Sequence, residues 1–388
     1  MNLHKTPVMP VGFQCASVNC GLKDKGTDLS LFISDVTANA AAVFTQNQFP
    51  GAPVILGREI IKKGKLRGIV VNSKVSNVGT GEQGVENARK MGLALAREFS
   101  IDPGEVLMSS TGVIAKPLPI EKIEKGIIGI GKHLSSDPLV GAQGIMTTDS
   151  YPKALSLSVG NATLTMVAKG SGMIEPNMAT MLVYIFTDAD LDSKTLDTCL
   201  RTAVDTSFNM LSVDTDTSTS DTCVILANGH KGSVDKTAFS KALDFACIEM
   251  TQMLARDGEG ATKLLTAEVN NAFSRNEARF MAKALINSPL IKTMAFGADP
   301  NIGRILMALG KCFDCHVEPP KIEVSINGTL VYKDQMRVDF DEKKVRLLLS
   351  GDRVAISVNL NAGHDMAMAY GCDLTQGYIE ENASYYSS

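Results

Sequence analysis

Runs of β-branched and aliphatic residues, each five to seven long, recur along this chain between stretches of helical period, and that interleaving restricts what it can fold into. LFISDV (31–36), RGIVVN (67–72), LTMVA (164–168), MLVYIF (181–186), CVILA (223–227), IEVSI (322–326), VRLLL (345–349) and VAISVNL (354–360) each suit a strand with at least one buried face. Between them Val85, Ala88, Met91, Leu95 and Phe99 fall three or four apart, as do Phe239, Leu243, Ala246 and Met250, followed by EARFMAKALI (277–286). The expectation is a layered α/β architecture, mixed α/β or α+β. Strict βαβ alternation, a GxGxxG after a strand and a fixed-period repeat are all missing, so Rossmann and solenoid folds have no support. SSDPLVG (135–141) and KCFDCHVEPPK (311–321) are the most loop-like stretches, and a smaller C-terminal subdomain is expected from about residue 285.

At 388 residues the chain is long enough for one large core or two ordinary ones. Hydrophobic residues make up 44% and charged residues 21%, the balance of a soluble globular protein. Its 38 Lys+Arg against 42 Asp+Glu give a net charge of -4, and it has no Trp, so the basic field and stacking platform of a nucleic-acid binder are lacking. No apolar run reaches the roughly 18 residues that span a bilayer, and MNLHKTPVMPVGFQ lacks a signal-peptide core, so the expected compartment is the cytoplasm. Eight scattered Cys read there as buried thiols rather than a disulfide framework. Small-molecule chemistry is the expectation.

Several motifs carry chemistry on paper. Cys312-Phe313-Asp314-Cys315-His316 fits the pattern of haem attachment, but there is no export segment, and a structural zinc would need two more ligands; neither a cofactor nor a metal is expected. The stretch from Ser212 to Asp221 loosely resembles a calcium loop but lacks its Gly and final Glu, which leaves a Ser/Thr-rich loop bonding its own backbone or supporting a site. Asp257 to Lys263 is not a phosphate loop; it offers Glu259, flanked by glycines, to an ammonium ligand. Ser109 to Ile114 suits a turn after the strand VLMSS, or an oxyanion hole made from the Thr111 hydroxyl and the Gly112 amide.

The most informative segment runs from Lys169 to Leu182, KGSGMIEPNMATML, which delivers a Thr onto the apolar strand MLVYIF. Were the Ala179–Thr180 bond cut, Thr180 would carry a hydroxyl nucleophile and its own α-amino base on one residue. That amine has an ordinary pKa of about 7.7–8, close enough to neutrality to take the hydroxyl proton.

This segment resembles the self-cleaving segment of the glutamate N-acetyltransferase family of arginine biosynthesis, also called ornithine acetyltransferases. The resemblance extends through PVGFQCA, the Thr111–Gly112 segment, MTTD (146–149), DTSTSD (216–221), DGEGATK (257–263) and NSPLIKTMAFGADPNIGR (287–304). It implies the layered α/β/β/α-type fold of that family and autocleavage before Thr180, giving an α chain 1–179 and a β chain 180–388 that assemble as an α2β2 heterotetramer. It implies that Thr180 takes the acetyl group of N2-acetyl-L-ornithine and passes it to L-glutamate, with Thr111 and Gly112 as the oxyanion hole. Substrate contacts carried over are Thr148, Lys169, Thr180, Glu259, Asn382 and Ser387, with Thr147 an alternative to Thr148 and Ser387 standing where relatives carry Thr. Many relatives have Trp at the position of Ile302. No cofactor is implied, and acetyl-CoA remains open as a second donor. The rival expectation is a self-processing aminopeptidase or amidase, which would put the same nucleophile to hydrolysis.

Overall fold

The structure, a computed structural model, describes residues 2–175 and 181–383. Its contacts group into two compact units. One holds the described residues up to Gly170, from Met181 to Asn209 and from Thr217 to Met250; the other holds Ser171–Glu175, Met210–Asp216 and those from Thr251 on. Both mix helices and strands, as the interleaved sequence pattern predicts, and among the described residues no helix is long and apolar enough to cross a membrane.

The first unit is built on a nine-stranded mixed sheet of β1 (Asn2–Leu3), β2 (Phe13–Val18), β3 (Leu29–Phe44), β4 (Lys65–Val75), β5 (Val106–Val113), β6 (Lys153–Val159), β7 (Ala162–Lys169), β8 (Leu182–Thr187) and β9 (Thr222–Ala227). The spatial order is β1-β6-β7-β8-β9-β3-β4-β5, with β2 also on β3. Helices cover both faces, which is why the central strands read as unbroken apolar runs rather than as alternation. In β4, Ile69 and Val71 join the cluster of Phe13, Phe32, Tyr184 and Phe186 on one face, while Val70 turns to the other, against Met91 and Leu95 of the helix Gly81–Phe99. The aromatic rings pack at centroid distances of 5.2–5.3 Å, tilted or stacked, so they add specific geometry to a large buried area.

The second unit has a six-stranded sheet of β10 (Leu264–Ala272), β11 (Glu323–Ile326), β12 (Thr329–Lys333), β13 (Met336–Arg337), β14 (Arg353–Asn359) and β15 (Asp365–Cys372), in the order β13-β12-β11-β14-β10-β15. Ala278, Met281, Ala282, Leu285 and Ile286 form the buried stripe of the helix Arg275–Ile286, which packs on β10 and β15.

Two local expectations fail, and one expected strand runs further than its sequence run. VRLLL lies in the helix Glu342–Leu349: Asp341 caps it by accepting from the Lys344 amide at 3.0 Å, Val345 and Leu349 share the buried face four residues apart, and Leu347 faces out. SSDPLVG is not a loop throughout, because the Asp137 carboxylate accepts from the Leu139 amide at 2.9 Å and Pro138 starts the helix Pro138–Ile145. LFISDV is only part of β3, whose ladder to β4 shifts register between Ile33 and Ala38; beyond the exposed Asp35–Thr37 segment the strand continues and pairs with β9.

Candidate active site

In the first unit the predicted residues meet at strand ends. Thr111 and Gly112 do not form a turn; they are the two rungs before the last of β5, where Thr111 pairs with Ser73 and Gly112 with Lys74 of β4. Lys169 closes β7 opposite Leu182, the first residue of β8. Its ammonium donates to the Thr111 hydroxyl at 3.2 Å and to the Thr147 hydroxyl at 3.0 Å. The Thr147 hydroxyl thus accepts a hydrogen bond from Lys169, and Thr148 lies half-buried beside it. Thr180 and Ala179 lie outside the described residues, as does Ser387.

Beneath this cluster sits a carboxylate that the sequence reading passed over inside the MTTD motif. Asp149 is buried, and one of its oxygens accepts from the Lys153 ammonium at 2.7 Å and from the Gly170 amide at 2.7 Å. Its other oxygen accepts from the Thr147 amide at 3.0 Å. One side chain therefore fixes the backbone on which both Lys169 and Thr147 are mounted. Burial opposes its charge, but Lys153, Lys169 and these hydrogen bonds outweigh burial and hold the carboxyl below its ordinary range. Burial lowers the Lys23 ammonium, partly offset by Asp28, and the charge of Lys169 lowers it further. The buried Asp221, just before β9, is pushed well up by desolvation, against the pull of Ser218, the Lys169 charge and Thr45.

In the second unit Glu259 and Asn382, 123 residues apart in the chain, are brought together: the Asn382 side-chain amide donates to the Glu259 carboxylate at 2.7 Å. The Glu259 amide bonds to the Ser171 carbonyl at 3.0 Å, and the Ser171 hydroxyl donates to the Asp257 carbonyl at 2.6 Å. Gly172 leaves room for this carboxylate, because a Cβ there would lie 2.2 Å from the Glu259 carboxyl carbon and would displace it. Burial pushes the Tyr378 hydroxyl up to about 12, with Asp214, Glu259 and Asp216 adding to it. Asp214, which the sequence offered as part of a Ser/Thr-rich loop, accepts from the Met173 and Ile174 amides at 2.7 Å each. Glu175 is tied to Lys283 at 2.9 Å and to Asn287 at 2.7 Å. Ser171–Glu175, which leads into the predicted cleavage segment, is thus anchored within the second unit.

The CxxCH cluster serves ordinary local contacts. The Cys312 thiol, pushed up to about 11 by burial, bonds to the Ala308 carbonyl at 3.4 Å, and His316 stacks on Phe273 and pairs with Glu277 at 3.0 Å. Among the described residues there is no group of three or more His, Cys, Asp or Glu placed to hold a metal ion.

Comparison with known proteins gives a consistent result. The model of the ArgJ family matches residues 14–387. The arginine biosynthesis bifunctional protein ArgJ 2 of Clostridium acetobutylicum is 46% identical over 380 residues, covering 97% of this chain and 98% of its own length. The glutamate N-acetyltransferase Oat2 of Streptomyces clavuligerus is 41% identical over 391 residues, covering 98% of both. Among solved structures, the arginine biosynthesis bifunctional protein argJ from Bacillus halodurans is 38% identical with a TM-score of 0.50; 98% of that chain corresponds to 52% of this one.

Proposed function

This chain belongs to the ArgJ family, and from that premise we propose that it moves the acetyl group of N2-acetyl-L-ornithine to L-glutamate through an acetyl-enzyme on Thr180. It is an acetyltransferase of arginine biosynthesis acting on small molecules. The observation that carries the mechanism is the Lys169 ammonium held on the Thr111 hydroxyl, next to the Gly112 amide and across the ladder from the start of the strand that follows Thr180.

The steps follow from these groups. Cleavage of the Ala179–Thr180 amide frees the α-amino group of Thr180, which accepts the proton of its own hydroxyl as Oγ bonds to the acetyl carbon. The Thr111 hydroxyl and Gly112 amide donate to the oxyanion that forms; losing one such donor slows acyl transfer by roughly 10²- to 10³-fold. The bond from the acetyl carbon to the ornithine nitrogen then breaks, and the α-ammonium returns its proton to that nitrogen. Glutamate reverses the sequence: its amine attacks the acetyl ester, and the Thr180 oxygen leaves with a proton. Lys169 supplies positive charge suited to a substrate carboxylate, and Glu259, oriented by Asn382, supplies negative charge suited to an amine. Acetyl-CoA as a second donor, the α2β2 assembly and a cytoplasmic location belong to the same proposal. The 98% coverage of the Bacillus halodurans chain by 52% of this one supports a processed chain of about that length.

The test is the intact mass of the denatured protein, followed by acetyl transfer from acetylornithine. Two chains, 1–179 and 180–388, with glutamate-dependent release of ornithine, are expected. A single chain of 388 residues overturns the processed nucleophile and the mechanism built on it, whereas release of free acetate regardless of glutamate overturns the transferase reading and favours a hydrolase.

A further inference from the structure

The ladder between β4 and β5 contains a backbone feature that a regular pair of parallel strands does not need. Lys74 has φ +114°, in the region that disfavours side chains, and its rung partner Gly112 has φ +122°. The Lys74 carbonyl packs where only glycine fits, because a Cβ at Gly112 would lie 2.2 Å from the carbonyl carbon of Lys74 and 2.3 Å from its oxygen. A lysine in this conformation costs free energy unless its surroundings enforce it, and strain of this kind collects at functional sites. The rung next to it is Ser73–Thr111.

The enforcement is visible. Asn72, fully buried, donates from its side-chain amide to the Val75 carbonyl at 2.8 Å, closing a bridge over Ser73 and Lys74. Its side-chain oxygen accepts from the Ser110 hydroxyl at 2.5 Å, one residue before Thr111 on β5. Ser73 is held on one side of the kink by the Asp28 and Gly144 carbonyls, each at 2.8 Å. On the other side the Ser76 amide and hydroxyl both bond to the Val113 carbonyl, at 3.0 and 2.9 Å.

We infer that Asn72 is a positioning residue for acyl transfer: by bridging Val75 and Ser110 it holds the paired turn at Lys74 and Gly112, and so aims the Gly112 amide and the Thr111 hydroxyl. This rests on the assignment of those two donors to the oxyanion hole. Without the bridge, Lys74 relaxes toward negative φ, its carbonyl leaves the face of Gly112, and the donors lose their alignment while the bulk of the sheet stays paired. Displacement of about 1 Å at such a site costs on the order of 10²-fold in rate.

The test is a cycle in the full chain with Asn72→Ala, Lys74→Gly and the double variant, assayed for acetyl transfer and thermal unfolding. Lys74→Gly should raise the melting temperature, since glycine adopts this φ without penalty. Asn72→Ala should lower kcat by roughly 10- to 100-fold with KM within about threefold, and Lys74→Gly should restore most of that loss because the turn no longer needs enforcing. A purely structural role would show no such rescue. Should Asn72→Ala fail to fold, Asn72→Ser, which is too short to bridge Val75 and Ser110 but leaves a small polar group in place, takes its place in the cycle. Full-rate Asn72 variants, or a loss that Lys74→Gly leaves unchanged, overturn the inference. Thr111→Ala measured in parallel separates the two ideas: if it retains full rate, the oxyanion assignment itself is wrong.

Discussion

Replacing Asp149 by Asn probes the buried support of the site. The ion pair with Lys153 has both side chains fully shielded from water at 2.7 Å, so the substitution removes a counter-charge from an ammonium that solvent does not reach. Breaking a buried pair in this way destabilises by about 3–5 kcal/mol; Lys153 also lies 4.9 Å from the Tyr151 ring, which favours the lower end. At roughly 2–4 °C per kcal/mol, unfolding should shift down by about 6–12 °C. The Asn side chain can still accept from the Gly170 amide, but its NH2 then faces the Thr147 amide, so kcat/KM should also fall. The control is Asp149→Asn with Lys153→Met, which removes both charges and should recover most of the stability, since no unpaired charge is then left buried. Thermal melts of all three proteins decide it. A single variant melting within about 2 °C of the parent, or a double variant no more stable than the single, would refute the reasoning.

Other consequences are equally direct. The Asp149 carboxyl is depressed in the fold, so its contribution to stability is present above the ordinary carboxylate pKa and is lost as pH falls through the lower, folded value; acid melts of the parent should show this loss and those of Asp149→Asn should not. Thr180→Ala should give a single uncleaved, inactive chain by mass spectrometry, whereas Thr180→Ser retains a hydroxyl and should still process. Gly172→Ala places a methyl 2.2 Å from the Glu259 carboxyl carbon and should raise KM for the amine substrate about tenfold or more by forcing that carboxylate off Asn382; an unchanged KM would remove Glu259 from recognition. With the Thr180 amine as base, kcat/KM should rise with pH through about 7.7–8, and a flat profile across that range would point to another base.

The mixed class, most strands and the helices of clear 3.6 period were legible in the chain. VRLLL was misread because four apolar residues in a run of five fit a buried strand and a helix alike, and only the Asp341 cap distinguishes them. Thr111 and Gly112 were legible as a pair but not as strand residues, because their positive-φ partner Lys74 belongs to a strand about forty positions away. Asp149 and Asn72 were missed for a related reason: each acts on backbone amides, carbonyls and hydroxyls of neighbouring segments, and nothing in a residue type announces which carbonyl it will meet.

The sequence by itself determined the chemistry on offer: a Thr ahead of an apolar strand, a Thr–Gly donor pair, a cation at the end of LTMVAK and a carboxylate between glycines, ordered so that family membership could be recognised. Tertiary structure alone decided which groups meet. It placed Lys169 on Thr111 and Thr147, set Asp149 under both mounts, and paired Glu259 with Asn382 across 123 positions. The physical reason is that side-chain identity and local period are properties of short windows, whereas hydrogen-bond partners and strain at a rung are fixed only when distant segments are locked in register by a packed core.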